Sequence, residues 1–121
     1  MSGEWRDEWD RHATAENDGM DHLPIAWLVE RVRRGEYGDY HTIWHALARR
    51  ASLHEAGWAL FAVLERPIDY LHRYHAASAL LELLGNTSLP VVALSSGPPE
   101  KIAPRLREVA ALLEAKIGPR I

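Results

Sequence analysis

Two histidine pairs have the residue type and spacing to do chemistry. His41 and His45 stand four apart in one segment of helical periodicity, and His72 and His75 stand three apart in another. Either spacing places both rings of a pair on one helix face. Two such faces turned toward each other would offer imidazole nitrogens to a transition metal such as zinc, provided that other groups oriented the rings. That is the alternative expectation. The preferred one is that the four rings flank the core, half exposed and hydrogen-bonded, with no cofactor.

Other catalytic templates fail. There are no cysteines, which removes thiolate nucleophiles, disulfides and zinc–thiolate sites. Gly35 and Gly38 are isolated, and Gly97 lacks a following Gly-Lys, so no phosphate-binding loop is present. Ser95-Ser96-Gly97 runs into two prolines and reads as a turn rather than a nucleophile elbow. The segment His41-Thr42-Ile43-Trp44-His45 resembles a zincin motif in its two histidines alone, because Thr42 stands where those enzymes carry their catalytic glutamate. The expectation is a protein that is not an enzyme.

Charge points to binding instead. Residues 1–22 hold seven acids against two bases, a balance of −5, whereas residues 23–121 balance at +2. An acidic arm of residues 1–22 is therefore set apart from a single helical domain of residues 23–121. Within the arm, Trp5 and Trp9 lie one helical turn apart among Asp7, Glu8 and Asp10, with Glu16, Asp18 and Asp21 following. Carboxylates steer encounter with a basic partner, and tryptophan anchors interfaces. The expected contacts are those eight residues; the competing reading has the two indoles stapling the arm to the domain. The basic stripe that nucleic-acid binders carry is missing. No apolar run reaches the ~18–20 residues of a membrane helix, and the acidic start is unlike a targeting segment. A cytoplasmic protein is expected.

The elements that must position these residues are helical. Ile25, Leu28, Val29 and Val32 follow i, i+3, i+4, i+7 over residues 23–34, with Gly35 as terminator. Tyr40, Ile43, Trp44, Leu47, Ala48 and Ala51 make a second stripe over 39–51, joined to the first by residues 35–38 alone. Ser52 and Glu55 form a capping-box pair ahead of an almost wholly apolar helix ending near Glu65. A helix over 68–84 follows, with Tyr70, Tyr74, Ala77, Leu81 and Leu84 on one face. Residues 89–94 read as a short helix or strand. A last helix starts near Ala103, with Pro104 in its first turn. The fold class is all-α, built of antiparallel helix pairs stacked as a short array or as a compact irregular bundle.

Pairs at 23–51, 52–85 and 88–118 give a unit of about 30–35 residues. The segment from Arg73 to Leu84, RYHAASALLELL, resembles the Ala/Leu-rich inner helix of HEAT-like repeat proteins. In size, acidity and helical build the chain also resembles the small immunity proteins with which bacteria neutralise toxins. That resemblance implies a basic protein partner covered at its active site. A homo-oligomeric adaptor is the further alternative. Twelve of the 14 basic residues are arginine, which fits a GC-rich bacterial genome.

Overall fold

The computed structural model describes residues 22–38, 41–85 and 89–120. Among them are six helices: α1 Ile25–Arg34, α2 Thr42–Arg50, α3 Leu53–Glu65, α4 Tyr70–Leu84, α5 Val91–Ser95 and α6 Pro99–Ile117. The fold is all-α. Among the described residues no helix is long and apolar enough to cross a membrane. Residues 1–21, with Trp5 and Trp9, and residues 86–88 lie outside the described residues.

Local chemistry sets the helix ends. The carbonyl of Pro24 accepts from the backbone N–H groups of Trp27 and Leu28, so the proline stands just ahead of α1 rather than in its first turn. Gly35 closes α1 in the left-handed conformation (φ 79°), a backbone that side-chain-bearing residues resist. At α3 the Ser52 hydroxyl accepts from Glu55 N–H at 3.2 Å and Glu55 Oε1 accepts from Ser52 N–H at 2.8 Å, completing the capping box. Asp69 caps α4.

Two helix starts differ from expectation by three residues or more. The second helix begins at Thr42 rather than at 39, so the α1–α2 connection is longer than residues 35–38. The last helix begins at Pro99, four residues before Ala103, and Pro104 lies inside it. Pro98 and Pro99 explain this, since proline is tolerated where the first N–H groups have no helical partner.

Packing follows apolar spacing. Leu28, Val32, Ile43, Leu47, Leu60, Val63 and Leu80 are fully buried and belong to one core. Helix α1 packs on α3, α2 packs on α4, and α3 and α4 form the central pair. The third pair is exchanged relative to a regular array: α5 packs on α4, and α6 packs on α3. With five residues α5 is too short to cover α3; it buries Leu94 and leaves α3 to α6. The close approach occurs at Gly57, where a Cβ would stand 3.1 Å from Leu113 Cδ2. The end of α6 is fastened by Trp58, whose Nε1 donates to Gly118 O at 3.3 Å, and by Arg120, which pairs with Glu65 and lies over the Trp58 ring.

Tyr70, expected on the packed face of α4, is half exposed. As the first residue after the cap, it precedes the stretch of α4 that enters the core.

Candidate functional site

The α2–α4 contact brings the four histidines together. The His41 and His75 rings stack with centroids 4.5 Å apart, His41 meets His72 edge-on at 4.7 Å, and His45 meets His75 edge-on at 5.5 Å. His41 and His75 are half-buried, whereas His45 is exposed.

His41 reaches this position at a conformational cost. It is the residue just before α2, with φ 60° and ψ 12°, and among the described residues it is the one non-glycine residue at positive φ. The left-handed backbone costs an L-residue about 1–2 kcal/mol. Such strain persists where surrounding contacts over-determine it, and the rings of His72 and His75 are among those contacts here.

His72 is oriented from both sides. The indole of Trp44, itself 1% exposed, donates from Nε1 to His72 Nδ1 at 3.3 Å. His72 Nε2 faces Asp69 Oδ2 at 3.7 Å. The Trp44 bond requires Nδ1 to be an acceptor, which puts the proton of the neutral ring on Nε2, toward the carboxylate. Tyr37, from the α1–α2 connection, packs its ring 4.9 Å from Trp44 and 5.1 Å from His72. Its hydroxyl accepts from Arg66 Nη1 at 3.0 Å.

Electrostatics follow from this crowding. Burial, and then the neighbouring rings of His41, His45 and His72, hold the His75 pKa below the ordinary 6.5. The hydrogen bond from the His72 backbone N–H holds the Asp69 carboxyl below 3.8; burial opposes it, and the nearness of His72 and His41 and the Leu71 backbone N–H add to the lowering.

The arrangement bears directly on metal binding. Ligation needs in-plane nitrogen lone pairs converging on one point, whereas His41 and His75 present their faces to each other. Among the described residues no group of three or more His, Cys, Asp or Glu is arranged to hold a metal ion.

The expected partner contacts Trp5, Asp7, Glu8, Trp9, Asp10, Glu16, Asp18 and Asp21 lie outside the described residues. The chain that follows them runs into a groove of about 600 Å³ lined by Leu23, Trp27, Glu30, Arg31, Arg34 and Glu36. Trp27 is 64% exposed there. Its place off the 25-28-29-32 stripe, some 200° around from Ile25 at 100° per residue, was the available signal. Tyr37 and Asp69 were passed over at the sequence level. Asp69 carried a signal, a capping residue three positions before His72; Tyr37, in a short connection, carried none.

No protein-family model, curated protein or solved structure matches this chain.

Proposed function

We propose that the protein is a non-enzymatic binding module of the immunity type, which neutralises a basic toxin partner in a bacterial cytoplasm. The observation that carries this reading is Trp27, a large apolar side chain held in water at the rim of a groove flanked by arginines and glutamates. Tryptophan and arginine dominate binding energy at protein interfaces. The groove adjoins the point where the acidic arm enters the domain, so steering carboxylates and a desolvatable anchor lie next to each other in the chain.

The test is capture from the native host, followed by kinetics on the captured protein. The wild type is expected to retain one basic protein, and co-expression is expected to relieve the growth arrest that protein causes. Trp27→Ala should speed dissociation. The triple variant Asp7→Asn/Glu8→Gln/Asp10→Asn should slow association, more at low salt than at moderate salt. A partner indifferent to both variants would remove this face from the interface. A dimeric mass in solution, with Trp27 shielded in the dimer, would assign the groove to a second copy of the chain.

A further inference from the structure

We propose that the face where α3 meets the end of α6 is a recognition site for an arginine in an extended segment of a partner protein, filled in this structure by the chain's own Gly118-Pro119-Arg120. The site is separate from the Trp27 groove on α1, so the proposal goes beyond the binding reading and does not depend on it.

The site begins as a stripe on one helix. Trp58, Phe61 and Glu65 stand at i, i+3 and i+7 in α3, so they share a face. Trp58 and Phe61 meet edge-on, with ring centroids 5.6 Å apart and planes at 89° to each other. Two rings at a right angle form a corner, and aromatic faces carry negative potential. Glu65 adds a carboxylate along the same stripe. Rings and carboxylate together suit an organic cation. A guanidinium suits them best, because its plane can lie over a ring while its edge donates to the oxygens.

A guanidinium already occupies the corner. Arg120 Cζ lies 5.8 Å from the Trp58 ring centroid and 5.5 Å from that of Phe61, and Nη1 reaches Glu65 Oε1 at 2.6 Å. Trp58 Nε1 donates to Gly118 O at 3.3 Å. The side chains of α3 thus read two features of one segment: a backbone carbonyl and, two residues on, an arginine. A small guanidinium compound supplies the second feature alone, which is why the ligand named here is a polypeptide.

Three observations mark the present occupant as exchangeable. First, α6 is anchored without it. Val109 and Leu113 are fully buried, and a Cβ at Gly57 would stand 3.1 Å from Leu113 and 3.2 Å from Ile117. Second, the Arg120–Glu65 pair is 43% and 44% exposed, and ion pairs in contact with water contribute little. Third, the segment leaves room beside it. A cavity of about 410 Å³ adjoins the corner, with Leu106 and Ala110 of α6 as its apolar wall. Its charged lining is Glu65 and Glu114 against Arg107 and Arg120, so withdrawal of Arg120 leaves two carboxylates facing one guanidinium. The vacated site favours a cation by charge as well as by shape. A tethered segment competes at high effective concentration, so a partner must add contacts in this cavity to displace it.

The test uses the full chain and the peptide acetyl-Gly-Pro-Arg-amide. Binding is followed by NMR at the tryptophan indole N–H signals, with that of Trp58 assigned through Trp58→Phe. Arg120→Ala vacates the corner and is expected to bind the peptide at least about tenfold more tightly than the wild type does. The Trp58 signal should move and the Trp27 signal should not. The same peptide with citrulline, a neutral isostere of arginine, should bind about tenfold more weakly, and so should ethylguanidinium, which lacks the carbonyl. Adding Glu65→Gln to Arg120→Ala should weaken the arginine peptide about fivefold or more. If Arg120→Ala does not fold, Arg120→Gln takes its place with the same expectations. Absence of binding to the vacated corner, equal affinity in wild type and variant, indifference to citrulline or to Glu65→Gln, or a shift at Trp27 in place of Trp58 would each overturn the proposal. Equal affinity for ethylguanidinium and the peptide would overturn it in favour of a small-cation site.

Discussion

Arg66 donates from Nη1 to the carbonyl of Val32 at 3.0 Å and so closes the C-terminal end of α1 from the far end of α3. Its Nη2 takes the carbonyl of Arg33 at 3.1 Å. The last carbonyls of a helix have no partner within it, and a cation there also meets the negative end of the helix dipole. One planar side chain thus ties α1, the Tyr37 connection and α3 together.

Arg66→Ala is accordingly expected to destabilise by about 1.5–3 kcal/mol, the range for hydrogen bonds to a charged group. Arg66→Lys keeps the charge but not the fork and should recover less than half of that loss. Chemical denaturation measures both. A cost for Arg66→Ala below about 0.5 kcal/mol would show that water serves those carbonyls equally well.

Leu60→Ala and Leu81→Ala test the core. Leu60 is fully buried in α3, and Leu81 in α4 retains 6% exposure. Emptying a buried leucine site costs about 2–5 kcal/mol, with the spread set by how far the surroundings collapse. Leu60 should fall toward the upper end and Leu81 toward the lower. The reverse order in denaturation midpoints would misplace the centre of the fold.

How much of this was readable from residues alone depended on the range of the interaction. Short-range chemistry was legible. The Ser52–Glu55 box, the Gly35 terminator and the buried 28-29-32 face all stand where spacing put them. The gathering of the four histidines followed from pairing the two helices that carry them. Long-range features were hidden. Nothing local announces that α6 crosses to α3, because that depends on how little of α3 the five-residue α5 can cover. Nor does local sequence show that His41 takes positive φ or that its ring meets two rings more than thirty positions away.

The Ser52 cap offers a graded test. Ser52→Ala removes the acceptor for Glu55 N–H and should cost about 0.5–2 kcal/mol, whereas Ser52→Gly should cost a few tenths. Glu55→Gln keeps a side-chain oxygen for Ser52 N–H and should be close to neutral. Equal losses for Ala and Gly, read from thermal unfolding, would mean that the hydroxyl is not what caps α3.

Asp69 supplies an acid-range prediction. Its carboxylate accepts the His72 backbone N–H at 3.0 Å, and its pKa lies below 3.8 in the folded protein. The unfolded chain therefore takes up this proton first, so the stabilisation is present above 3.8 and is lost as pH falls through the folded value. Asp69→Asn retains an oxygen at the cap without titrating. Between about pH 4.5 and about pH 2.5 its midpoint should fall less steeply than that of the wild type. Parallel curves would leave the acid loss to other carboxylates.

The left-handed backbone at His41 also orders the steps of folding. Helices α3 and α4 are joined by residues 66–69 and share the most extensive helix–helix contact, so they can meet after closing a short loop. The start of α2 must come to α4 from further along the chain and enter an uphill conformation before any ring contact compensates it. That junction is therefore expected to assemble on the native side of the folding barrier. Substitutions at His41 should change how fast the native state is lost and leave nearly untouched how fast it is reached.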